Sequence, residues 1–151
     1  MVIYPASLPA IAEAAGVPLT HARIGWQSLG SGLSASAVVV SSETAAGPRD
    51  APLRPDTVEY WEPDTLPATW KLDLGADHTI DFIGIAAHTL GSSGITVTVR
   101  AGTAADIDTD ENLPLFSEAY SPTDDAALLF LDAARTVRHI WVELAEENSN
   151  S

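Results

Sequence analysis

Several segments after residue 68 alternate apolar and polar residues with a period of two, and this pattern limits the fold more than any other feature. In segment 69–74 the apolar residues Trp70, Leu72 and Leu74 alternate with polar ones. Successive side chains of a strand point to opposite faces, so the pattern predicts a half-buried strand that Gly75 ends.

Other short segments also have strand character, and no long helical periodicity follows residue 16. Segment 80–87 is apolar at nearly every position after Asp81, which predicts a strand buried on both faces, with either a bulge or a close backbone approach at Gly84. Short strands between turns rich in Gly and Pro indicate an all-β fold, an antiparallel β-sandwich of the jelly-roll type. The remaining predicted strands are Ala37–Ser41, Ile95–Arg100, Leu128–Leu131 and Val137–Leu144.

The predicted organisation is an irregular N-terminal arm at 1–36, one β-sandwich at 37–144 and a polar tail at 145–151. Within the arm, segment 7–16 is either a short helix or a loop. The connection 42–68 contains five prolines, which remove backbone donors and exclude a central strand. A connection of this length is expected to be functional or tightly packed on the body of the domain.

Composition excludes several classes of function. The chain has 46% hydrophobic residues, 7 basic against 21 acidic residues and a net charge of −14. This indicates a folded acidic domain without the basic clusters that nucleic acids or anionic membranes require. There is no cysteine, and no apolar run is long enough to cross a membrane. Residues 1–15 lack the charged and apolar regions of a secretory signal peptide, so none is expected.

The sequence carries no recognisable catalytic or metal-binding pattern, and we expect neither enzymatic activity nor a cofactor. The four histidines have no metal-ligand spacing, and Gly91–Gly94 lacks the spacing of a nucleophile elbow. Segment 106–110 resembles the start of a calcium loop, but the Gly and Glu that the motif needs later are absent. Unrecognised carboxylates in a hydrolase are the remaining enzymatic alternative.

Aromatic residues outside the strand patterns are the candidate ligand-binding residues. Tyr60 and Trp61 lie in the proline-rich connection, where they could stack on sugar rings or anchor a protein partner. Arg54 and Asp56 could supply hydrogen bonds beside them. The alternative is that these aromatics fold back over the sandwich edge. Trp26 is a similar loop aromatic, whereas Trp70 and Trp141 are predicted core residues.

Three stretches resemble discoidin-like (coagulation-factor C-type) domains. These are Ala68–Gly75 with Asp-Leu-Gly at its end, followed by Thr79–Ile85, and the later strand Arg138–Leu144. The resemblance covers residues 36–144 and implies a galactose-binding-like jelly roll with 69–85 at its centre. Such domains usually close with one further strand, which residues 1–36 or a neighbouring subunit would have to supply here.

Four other stretches resemble small virion proteins of tailed bacteriophages: His21–Trp26, Ser41–Thr44, Tyr60–Pro63 and Gly84–Gly91. This resemblance implies a non-enzymatic structural component of a phage tail or tail tip, assembled in the host cytoplasm and located in the virion. Its partners would be other tail proteins, copies of itself and a host-surface glycan, with no nucleic acid and no membrane insertion. The alternative function is a monomeric carbohydrate-binding module that uses Tyr60 and Trp61 as stacking platforms.

Overall fold

The computed structural model describes residues 28–54, 59–86, 88–106, 124 and 127–146. The predictions made for segment 7–16, Trp26, Asp56 and most of the calcium-like segment lie outside these residues.

The described strands form one antiparallel sheet in the order β1-β2-β4-β3. Strands β2 and β4 are the long central pair, and their register places Lys71 opposite Trp141 and Leu72 opposite Ile140. Short 3-10 helices precede β1 and lie within the long connection, at Ala35–Ala37 and Ala51–Leu53. The strands are β1 (Val38–Val40), β2 (Ala68–Ile85), β3 (Ile95–Gly102) and β4 (Ala127–Glu146).

The predicted all-β antiparallel fold is confirmed, but the strands are longer than their patterns indicated. Gly75 does not end a strand: it has a positive φ of 78° inside β2, which continues to Ile85. The register between β2 and β4 shifts between Asp73 and His78, so the ladder passes through an irregularity instead of stopping. In the same way, the two last predicted strands are one strand, β4.

One face of the sheet carries the hydrophobic core. Trp70, Leu72 and Leu74 are buried there as their alternation predicted, and Val97 and Val99 of β3 join them. The core is covered by the segments before β1 and between β1 and β2, including Leu33, Leu53, Trp61 and Leu66. Trp70 is anchored by its indole Nε1, which donates to the Arg49 carbonyl at 2.8 Å.

The second half of β2 does not have the burial that its sequence indicated. Ile80 is buried, but Phe82 is 37% exposed, and Ile83 and Ile85 are half-buried. The prediction of a strand buried on both faces is therefore wrong for 81–86. The turn predicted at 90–94 is confirmed; the Ile95 amide donates to the Leu90 carbonyl across it.

Val38 and Val39 are adjacent residues of one type that lie on opposite faces of the sheet, so they test the assignment of the core face. Val38 is 2% exposed and Val39 is 60% exposed. Val38→Ala should lower the free energy of unfolding by about 2 kcal/mol, from lost burial and the resulting cavity. Val39→Ala should change it by about 0.5 kcal/mol or less. Urea unfolding measures both, and equal losses would contradict the assignment.

Candidate functional site

Two segments of the long connection pair with each other at the end of the sheet where β1 finishes and β2 begins. We call segments 41–47 and 59–66 the loop pair. The Thr44 amide donates to the Glu62 carbonyl at 2.9 Å, and the Glu62 amide donates to the Gly47 carbonyl at 3.2 Å. Thr44 Oγ1 also donates to Glu62 Oε2 at 2.9 Å. The described parts of the connection are therefore packed and hydrogen-bonded, which is one of the two alternatives that its length led us to expect.

Gly47 allows the close approach of the two segments. A Cβ atom at this position would lie 2.5 Å from the backbone nitrogen of Glu62 and 2.5 Å from its Cβ. These distances are shorter than any tolerated contact, and a backbone atom cannot move aside as a flexible side chain can. Glycine at position 47 is thus a packing requirement of the loop pair.

Ser42 fixes the course of the second segment. Its Oγ accepts hydrogen bonds from the amides of Asp64 and Thr65, at 3.2 and 3.4 Å. Its carbonyl accepts a hydrogen bond from Trp61 Nε1 at 3.1 Å. Trp61 is consequently half-buried, with its indole nitrogen bonded and its ring packed against the core cluster.

Tyr60 is the exposed aromatic residue of the loop pair. Its side chain is 55% exposed, and its hydroxyl makes no hydrogen bond within the described part of the chain. The neighbouring side chains of Glu59, Glu62 and Asp64 are exposed as well. A flat ring on a braced backbone, with exposed carboxylates next to it in the sequence, can stack on an apolar ring face and attract a positive charge.

Arg54 lies next to this surface but already has acidic partners. Its Nη2 donates to Asp50 Oδ2 at 2.9 Å, and its Nη1 is paired with Glu59. The first contact lowers the pKa of Asp50. A similar pair joins Arg49 to Glu43, whose Oε2 accepts from the Arg49 amide at 2.7 Å; the hydrogen bonds from Arg49 lower the pKa of Glu43.

The structure thus links Arg54 through Glu59 to Tyr60 and Trp61, while Asp56 lies outside the described residues. The ligand-binding roles of Tyr60, Trp61 and Arg54 stay predictions. The bracing by Gly47 and Ser42 was not found from the sequence, because a glycine or serine in a loop gives no sign of the partner segment it contacts.

Apart from the loop pair, a cluster of polar side chains lies on the sheet face opposite the core, in β2 and β4. Lys71 Nζ stands 5.1 Å from the Trp141 ring centroid and donates to the Ala105 carbonyl. Trp141 is buried as predicted, but beneath these polar groups and not in the core cluster. Beside Trp141, Arg138 Nε donates a hydrogen bond to Asp73 Oδ1 at 2.9 Å. This hydrogen bond is the main reason that the pKa of Asp73 is lowered to about 2.

Metal clusters and membrane-spanning helices are both absent from the described residues. No group of three His, Asp or Glu side chains there could hold a metal ion. No helix in that part of the chain is long and apolar enough to cross a membrane.

Comparisons with solved structures identify the fold. Chitosan-binding module 1 of a chitosanase/glucanase from Paenibacillus sp. IK-5 is 14% identical with a TM-score of 0.65, over 80% of this chain and 88% of that one. The family 32 carbohydrate-binding module of C. perfringens NanJ, solved with galactose, is 13% identical with a TM-score of 0.58, over 76% and 87%. That of AlyQ, solved with 4,5-unsaturated mannuronic acid, is 18% identical with a TM-score of 0.57, over 76% and 84%.

These similarities show that the chain has the antiparallel β-sandwich fold that these modules share. No family model matches the sequence, and no curated protein does. At these identities the likeness establishes the fold alone. The comparisons give no support to the predicted phage-tail identity, which stays a prediction.

Replacing Gly47 tests whether the loop pair is held by its close approach to Glu62. Gly47→Ala should lower the free energy of unfolding by about 1–3 kcal/mol, because the added methyl group overlaps backbone atoms. Ala46→Ser, at an exposed neighbouring position, is the matched control and should change it by less than about 0.5 kcal/mol. Thermal or urea unfolding measures both. A Gly47→Ala protein as stable as the control would contradict the described packing.

Proposed function

We propose that this chain is a non-catalytic carbohydrate-binding module and that Tyr60 is the stacking platform of its binding site. The exposed ring of Tyr60 on the braced loop pair is the observation that carries this proposal. An exposed aromatic ring buries a large area against a ligand at little conformational cost, which suits the flat apolar face of a sugar. The fold supports the proposal, because modules of this fold have been solved with bound saccharides.

The other predicted site residues have supporting roles in this proposal. Trp61 orients the backbone next to Tyr60 through its hydrogen bond to Ser42. Arg54 holds Glu59 in place, and its ion pairs leave it a weaker ligand contact than a free guanidinium. Both residues position the platform, and the sugar ring contacts Tyr60.

The charge of the surface favours a glycan that carries protonated amines. The chain has a net charge of −14, and segment 59–64 contains three acidic residues and no basic one. Exposed carboxylates around an aromatic ring attract an ammonium group by Coulomb and cation–π interactions. They repel a uronic acid by the same physics. One module of similar fold is a chitosan-binding module, which agrees with this preference.

Calorimetric titration with glucosamine oligomers, at a pH where their amines are protonated, tests the site and the ligand class together. Tyr60→Ala should weaken binding at least tenfold, or about 1.4 kcal/mol, because the stacking surface is lost. Tyr60→Phe keeps the ring and should stay within threefold of the wild type. N-acetylglucosamine oligomers of equal length should bind more weakly, because they lack the positive charge.

Two results would count against this proposal in different ways. A wild-type chain that binds no member of a broad glycan panel contradicts the carbohydrate-binding function. The second result is binding that is equal for acetylated and deacetylated oligomers but is still lost in Tyr60→Ala. That result contradicts the proposed ligand class but still supports Tyr60 as the binding site.

Assembly with copies of itself or with other proteins, as a phage-tail role requires, is the second candidate function. Val39 favours it, because this apolar residue is exposed on β1, an edge strand of the described sheet. Unpaired backbone groups at an edge are a template for pairing with another chain. The virion location predicted with this role rests on the phage resemblance.

Light scattering after size exclusion distinguishes the two candidates. A carbohydrate-binding module that works alone should elute as a monomer at all protein concentrations tested. A concentration-dependent oligomer that Val39→Lys dissociates would favour assembly, because a charge placed at the edge opposes pairing. Val39→Thr, which keeps the β-branched shape without the charge, is the control.

A further inference from the structure

His139 is a buried polar side chain on the sheet face opposite the core, the face on which Trp141 lies: it is 4% exposed, and its Nδ1 atom has no hydrogen-bond partner among the described residues. Its ring packs against Trp141, with the ring centroids 5.7 Å apart and the planes tilted by 45°. The nearest acidic group is Asp73, whose Oδ1 lies 3.9 Å from His139 Nδ1. A movement of about 1 Å would close this gap to a hydrogen bond.

Asp73 Oδ1 already accepts two hydrogen bonds. It accepts from the Gly75 amide at 2.8 Å and from Arg138 Nε at 2.9 Å. A carboxylate oxygen has two lone pairs, so a third donor can enter only by displacing one of these two. A protonated His139 would be that third donor. Asp73 therefore joins His139 to the bend of β2 at Gly75.

His139 lies in β4 between β2 and β3, and the charged groups near it come from β2 and from β4 itself. In β2 and the bend after Asp73, the carboxylates of Asp73 and Asp77 favour the protonated ring, while Lys71 opposes it. In β4 Arg138 also opposes it. The residue opposite in β3 is Gly102, which has no side chain to contribute.

Burial is the largest of these effects, and it lowers the pKa of His139 below its ordinary value of 6.5. In the unfolded chain His139 takes up a proton near that ordinary value, whereas in the folded chain it does so only at lower pH. The stability it contributes is thus complete above pH 6.5 and is lost as the pH falls through the folded-state pKa. Asp73, with a pKa of about 2, stays ionised throughout this range and remains an acceptor.

We propose that His139 is a proton-operated switch, whose protonated Nδ1 takes over Asp73 Oδ1 and releases the Gly75 amide or Arg138. The consequence is a loosened bend at 74–78, where the register between β2 and β4 shifts. The acid form keeps the sheet on either side of the bend and changes the path of the chain between its two halves. The neutral form is the one described above.

Nuclear magnetic resonance of the whole chain between pH 7.5 and 5.0 tests this switch. The Gly75 amide and Arg138 Nε–H signals should shift with pH, with the same midpoint as the His139 ring carbons. His139→Gln, which is neutral at every pH, should abolish both shifts. His88→Gln, at a histidine outside the bend, is the matched control, and both signals should shift with pH in this protein as they do in the wild type.

Shifts that persist in His139→Gln, or that are absent from the wild type while the His139 ring titrates, would overturn the proposal. If His139→Gln does not fold, the wild type alone decides. A midpoint for the Gly75 amide that differs from the midpoint of the His139 ring contradicts the switch.

Discussion

The antiparallel pairing of β2 with β4 is the constraint on which the rest of the described structure depends. These strands run beside each other from Ala68 opposite Leu144 to Ile85 opposite Ala127. Residues directly opposite in an antiparallel pair share a face, so this single register separates the core side chains from the polar ones. A slip by one residue would exchange Leu72 with Lys71 and bury charge in the core. The edge strands β1 and β3 pair with β2 and β4, whose register already determines which face of the sheet carries the core.

Some of this order could be predicted from local pattern. Trp70, Leu72 and Leu74 show a strict period of two, and Val97 and Val99 repeat it, so one face of each strand was identifiable from the sequence. Segment 80–85 has no such period, and reading it as buried on both faces was wrong because periodicity alone cannot show what covers a strand. Gly75 was a reasonable turn signal, but a positive φ also suits an irregularity within a strand.

Longer-range relations were beyond the sequence. Trp141 was correctly expected to be buried, yet the face on which it lies follows from its register with Lys71. Nothing local to His139 distinguishes it from a surface histidine, because its burial and its closeness to Asp73 arise from pairing between strands about 65 residues apart in sequence. The discoidin resemblance, carried by Asp73, Leu74 and Gly75, indicated the correct fold without showing these contacts.

The same limit applies to the candidate site. Tyr60 and Trp61 are adjacent aromatic residues, and the sequence treats them alike. The structure separates them, because pairing of the loop segments at Gly47 and Glu62 turns Trp61 toward Ser42 and the core while Tyr60 faces solvent. Long-range hydrogen bonds of a loop thus decide which of two neighbouring rings a ligand can reach. In the proposed function, the exposed carboxylates next to Tyr60 in the sequence favour a positively charged ligand.

The central claim is that the loop pair, and not the sheet face around Trp141, is where a saccharide binds. Mapping of backbone amide shift changes during titration with a glucosamine oligomer tests it most directly. The account predicts changes concentrated at residues 42–47 and 59–64, with Lys71, Trp141 and Arg100, the residue of β3 opposite Trp141, unaffected. Changes concentrated on those three residues, or no change at saturating oligomer, would contradict it.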